Sequence, residues 1–110
     1  MTIATRTLKL NVQAGIVDVP INIFMPEQNG DSWICQYEIN WPDKTWRSAA
    51  GGVDAVQALH CAMEKIGIEL YASAANKSGL LTWSSHWKGF GFPVPHNARN
   101  MLVGDDAKFF

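Results

Sequence analysis

The chain has 110 residues, 47% of them hydrophobic and 17% charged, and nine basic against ten acidic side chains leave a formal net charge of −1. This composition excludes disorder, the length fits one domain that can bury a core without disulfides or a structural metal, and no run has the length and purity of a membrane span. Neither sign of charge forms a block, so the basic footprint of a duplex binder is missing.

Met1 to Leu10 alternates polar and apolar residues and lacks the basic-then-apolar design of a secretory signal. That predicts a cytoplasmic protein in which Cys35 and Cys61 are thiols. Leu8, Leu10 and Val12 alternate with Lys9 and Asn11, and after Ala14-Gly15 a second run puts Val17, Val19, Ile21 and Ile23 on one face. Both read as strands. Pro20 inside the second run cannot donate a ladder hydrogen bond, which predicts an edge position or a bulge.

From Ser32 to Trp41 one face carries Trp33, Cys35, Tyr37, Ile39 and Trp41, and the other carries Ser32, Ile34, Gln36, Glu38 and Asn40. Such alternation belongs to a sheet covered on one side only. Pro42-Asp43-Lys44-Thr45 then reads as a four-residue hairpin loop that pairs Trp41 with Trp46 and opens a fourth strand ending near Ala50. On the helix-facing side of that strand, Ser48 and Ala50 are small enough for a helix backbone to approach, and Gly51-Gly52 supplies the turn.

Val53 to Tyr71 is the clearest segment. Asp54 is placed to cap, Gln57 three residues on to close a capping box, and Val53 to act as a hydrophobic staple. Val56, Leu59, Met63, Ile66 and Leu70 recur at helical spacing and predict the buried stripe. Cys61 and Ile68 project to the opposite side, which predicts cover by the segment after Leu80, ordinary exposed apolar residues, or a protein contact, either a homodimer or a heterologous interface. Strands followed by one helix imply an α+β fold: an antiparallel meander of four to five strands with one long helix packed on one face.

After Tyr71 the pattern weakens. Asn76 to Gly79 reads as a loop, Leu80 to Trp83 as a short fifth strand, and Gly89 to Pro95 as irregular. Asn97 is placed to cap a short C-terminal helix that runs through Leu102 and stops at Gly104. Phe109 and Phe110 are too apolar for a free tail and are expected to dock on the domain.

Lys88-Gly89-Phe90-Gly91-Phe92 resembles the first ribonucleoprotein motif of cold-shock proteins and RNA-recognition motifs, where strand aromatics stack on bases. The resemblance stops at Pro93-Val94-Pro95, and the second aromatic motif is missing. No nucleic-acid binding is expected, and Phe90 and Phe92 read as core anchors. Residue patterns also supply no convincing catalytic group, metal site or cofactor. His60 and Glu64 at i, i+4 fit a boundary contact better than an acid-base pair. No Cys or His spacing matches a zinc signature, and Ser84-Ser85-His86 lacks the strained turn of an esterase serine. Gly104-Asp105-Asp106 reads as a solvated turn rather than a cation loop.

Val53-Asp54-Ala55-Val56-Gln57-Ala58-Leu59, Leu70-Tyr71-Ala72-Ser73, Gly91-Phe92-Pro93-Val94-Pro95 and Leu102-Val103-Gly104-Asp105-Asp106 together resemble a family of short, mainly proteobacterial proteins classed as a domain of unknown function. The resemblance implies a bacterial cytoplasmic origin and one compact domain, and it assigns no site residue.

Two functions follow as expectations. The first is a non-catalytic protein-binding domain of the adaptor or toxin-immunity type, binding another protein or itself through Trp83, Trp87 and Phe90 with His86 and Lys88, or through Cys61 and Ile68. The second is a small-ligand binder or enzyme with a pocket near Trp83 to His96. Neither expectation includes a membrane contact.

Overall fold

The computed structural model describes residues 1–110. Six strands, β1 (Thr2–Val12), β2 (Gly15–Phe24), β3 (Glu27–Asn29), β4 (Ser32–Asn40), β5 (Thr45–Gly52) and β6 (Leu81–Thr82), form one antiparallel sheet. The strands β1, β2, β4 and β5 make the expected meander, β3 continues β2 alongside the first residues of β4, and β6 adds beside β1. The long helix α1 (Ala55–Ala72) lies on one face, followed by α2 (Ala74–Lys77), a 3₁₀ helix (His96–Met101) and α3 (Gly104–Phe109). The fold is therefore α+β, and no helix is long and apolar enough to cross a membrane.

Period-two alternation does what the sequence predicts: Leu8, Leu10, Val19, Ile21, Ile23, Cys35, Tyr37 and Ile39 are buried on the helix face. Trp33 and Trp41 pack half-buried at its ends. Pro20 corrects the expected edge position, since β2 is an inner strand. Its pairing with β4 covers only Ile21 to Ile23, so Pro20 sits just past the end of that ladder, where no N–H is required. The hairpin is also corrected. Asn40 pairs with Thr45 and Ile39 with Trp46, a shift of two from the Trp41–Trp46 pairing, which preserves every side chain's face.

Asp54 caps α1: its carboxylate accepts from the Gln57 N–H at 2.8 Å, and the Gln57 side chain accepts from the Val53 N–H at 2.7 Å. Val53 itself is exposed, so the staple is absent. The buried face is Ala58, Ala62, Ile66 and Leu70, with Leu59 and Met63 half-buried beside it and Val56 exposed. Small residues win at the first turns because the backbone comes so close to β5 that a Cβ on Gly52 would stand 2.4 Å from the Ala58 nitrogen. Val56 lies in the first turn, away from the Phe92–Val94 strap that crosses the helix at Gly67.

Two substitutions separate these roles. Asp54→Ala is expected to cost about 0.5–2 kcal/mol in urea unfolding through loss of the cap. Val56→Ala, at a position 76% exposed, is expected to stay within about 0.5 kcal/mol of the parent.

Past α1 the chain folds back. The 3₁₀ helix has no side-chain cap, so Asn97 does not play the expected role, and Gly104 opens α3 instead of ending a helix. Phe109 and Phe110 dock only partly: their rings lie 5.4 and 6.3 Å from Trp87, and both stay exposed.

Candidate functional site

The segment from Trp83 to Phe92 is organised by a residue that sequence reading placed in a solvated turn. Asp106 is fully buried. One carboxylate oxygen accepts from the Tyr71 hydroxyl at 2.5 Å and the Phe90 N–H at 2.8 Å, and the other accepts from the Trp87 indole N–H at 2.6 Å and the Gly91 N–H at 2.9 Å. Four donors from α1 and the 87–91 loop thus converge on one anion, which is how a buried carboxylate is made tolerable. Gly89, at φ +113°, lets the loop wrap it, since a Cβ there would lie 2.5 Å from the carboxyl carbon. The neighbouring Asp105 fastens Lys88 by accepting from its N–H at 2.6 Å and donating to its carbonyl at 2.8 Å.

Arg6 closes the other side. Its guanidinium stacks 3.8 Å over Trp83, lies 4.9 Å from the Phe92 ring and donates to the Gly91 carbonyl at 2.6 Å. Burial lowers its pKa, and the Asp106 charge opposes that shift. Trp83 meets Trp87 edge-on at 5.9 Å. Phe90 and Phe92 are each 3% exposed, so neither offers a face on which a base could stack.

Of the residues singled out from sequence, Trp83, Trp87 and Phe90 are therefore brought together as parts of this internal network. His86 and Lys88 are exposed beside a hollow of about 460 Å³ that Ser84 and Ser85 also line. Cys61 and Ile68 stand apart from them on α1, half-buried and packed against the core. The Nε2 of His60, which is exposed, lies 3.6 Å from the half-buried Glu64.

A second concavity went unrecognised in the sequence. A groove of about 590 Å³ opens at the end of the sheet between the β4–β5 hairpin, Leu10 and Val12 of β1, and the junction of α1 with α2. Trp41 and Trp46 stand in its wall with Glu69, Asp43 and Lys44. Trp46 is 43% exposed. The signal was present as two tryptophans flanking a hairpin loop, but it read as a cross-strand pair. Their true offset leaves both lining a common hollow.

The Tyr71, Trp87, Phe90 and Gly91 donors all fall within residues 4–94, which match one family model. The chain belongs to the DUF6968 family, a domain of unknown function whose model matches residues 4–94. No curated protein and no solved structure shows significant similarity to it. The DUF6968 match takes in the sheet, α1 and the Trp83–Phe92 loop, while the Asp106 acceptor lies after its last residue.

Both tyrosines of this DUF6968 domain are buried. Burial raises the pKa of Tyr37 against the smaller opposing effects of the Ser48 and Trp46 side chains, and burial followed by the hydrogen bond to Asp106 raises that of Tyr71. A phenol whose folded pKa exceeds its unfolded value of about 10 adds stability that is complete below that pH and is lost as pH rises through the folded value. Phenolate absorbance is accordingly expected to stay silent through pH 10 and to emerge only together with alkaline unfolding. A tyrosine that ionises near pH 10 while circular dichroism is unchanged would contradict this.

Proposed function

We propose that the domain is a non-catalytic protein-recognition module, of the adaptor or toxin-immunity type, and that its recognition surface is the groove walled by Trp41 and Trp46. The observation that carries this reading is the contrast between the two tryptophan groups. Trp83 and Trp87 are engaged by Arg6 and Asp106, whereas Trp46 offers a partly exposed indole at the mouth of an apolar hollow. Interfaces favour such aromatic anchors within a polar surround, here Asp43, Lys44 and Glu69. The Asp106 carboxylate, with four donors around it, is committed to holding the fold.

The second reading, a small-ligand binder, draws on the hollow beside His86 and Lys88. Affinity capture from the native host with wild type, Trp46→Ala and His86→Ala separates the two. The recognition reading expects a specific protein that is retained by His86→Ala and lost by Trp46→Ala. Recovery of no protein, together with tight binding of a small metabolite that His86→Ala abolishes, would replace it with the ligand reading.

A further inference from the structure

Strand β5 pairs only with β4, so its other side is an edge of the sheet. The Ala49 carbonyl there accepts from Lys65 Nζ at 2.7 Å and so faces away from β4. In an antiparallel strand the N–H and C=O of one residue point the same way and alternate residues point oppositely. Arg47 and Gly51 therefore turn their backbone groups to the same open side as Ala49. Such edges are ordinarily closed by prolines, bulges, charges or a covering segment. On β5 the closure is slight: the tip of one exposed lysine, which also touches the Ser48 hydroxyl at 3.2 Å, and on the far face the charge of Arg47, drawn back over β4 by Glu38 at 3.8 Å.

The reach of Lys65 also fixes what overhangs that edge. At 100° per residue Cys61, Lys65 and Ile68 share one strip of α1, and the Lys65–Ala49 bond places this strip above β5. The half-buried Cys61 and Ile68 thus flank a cation along the shelf. Their offsets from Lys65 along the helix, about 6 and 4.5 Å from a rise of 1.5 Å per residue, approach the roughly 6.7 Å between alternate residues of a strand. At its Thr45–Trp46 end the shelf runs into the Trp41–Trp46 groove.

We propose that this edge is the docking site for an extended segment of a protein partner, which adds to β5 as a further strand and carries an acidic side chain between two apolar ones, each two residues away. The acid receives Lys65 as it leaves the Ala49 carbonyl, and the apolar residues cover Cys61 and Ile68. The proposal rests on the recognition reading above and gives its partner a chemistry. A second copy of the chain fits the edge poorly. Self-pairing through β5 brings the Lys65 cations of the two copies together on the helix side, where β5 supplies no acid, and the Arg47 side chains together on the far side, where each has only its own Glu38 at 3.8 Å.

The test is selection of a displayed library of random peptides, long enough to span β5, against the wild-type domain. Selected peptides are expected to carry the apolar-x-acid-x-apolar pattern and to slow solvent exchange of the Arg47, Ala49 and Gly51 amides by about tenfold or more. Ala49→Pro removes an edge N–H that β4 does not use, and is expected to abolish binding. An alternately N-methylated copy of a selected peptide, which cannot pair with a strand, should likewise fail on the unaltered domain. Peptides that need Trp46 but leave those three amides unprotected would overturn strand addition and leave the recognition reading in place. Absence of any binder would remove both. A wild-type dimer in light scattering that Ala49→Pro converts to monomer would make a second copy the occupant and overturn the proposal.

Discussion

Asp106→Ala is expected to lower stability by about 3–5 kcal/mol in urea unfolding, the largest effect of any single polar substitution in the domain. The carboxylate is fully buried, and its loss strands the Tyr71 hydroxyl, the Trp87 indole N–H and the Phe90 and Gly91 amides together. Each unsatisfied buried donor costs about 1–3 kcal/mol, less whatever water entering the space recovers. Asp106→Asn should also destabilise, because its amide nitrogen would face N–H donors. A loss below about 1 kcal/mol for the alanine variant would show that the network is dispensable.

Gly67→Ala is expected to reverse the ordinary sign of its class. In an open helix interior the exchange gains about 1 kcal/mol through propensity. In α1 a Cβ at position 67 would stand 2.0 Å from the Pro93 carbonyl oxygen and 3.1 Å from a Val94 methyl. The strap must lift or the helix must shift, and overpacking of this kind costs about 1–3 kcal/mol. A variant more stable than the parent in thermal melts would mean that the strap does not press on the helix.

The sheet was legible because period-two alternation survives local error. In β4 the inward face was read correctly, and even the mistaken Trp41–Trp46 pairing was off by two residues, which leaves every side chain on its proper face. The cap of α1 was legible for a local reason, since Asp54 and Gln57 act within one turn. The helix stripe is legible in its second half, where Ile66 and Leu70 are buried, and too narrow in its first, where Leu59 and Met63 are half-buried and Val56 is exposed. Hydrophobic size drew attention to Val56, Leu59 and Met63, whereas the close approach to Gly52 favours Ala58 and Ala62.

The candidate site was legible only in part. Crowding of Trp83, Trp87 and Phe90 could be read from their spacing, yet what those rings do depends on Arg6 and Asp106, more than fifteen residues away on either side. A lone carboxylate after Gly104 carries no local sign that four donors will surround it. The groove at Trp41 and Trp46 brings β1, the β4–β5 hairpin and the α1–α2 junction together, and a contact of that range has no periodic signature.

The Trp83–Phe92 segment is built into the core around Asp106, and the proposed recognition surface is the Trp41–Trp46 end of the sheet. Native-state hydrogen exchange tests this most directly, read at the Trp87 indole N–H and the Phe90 and Gly91 amides. All three are expected to exchange only with global unfolding, at the level of the inner-strand amides of β2, and to lose that protection in Asp106→Asn. Free exchange at these three sites while β2 remains protected would mean that the segment opens independently of the core.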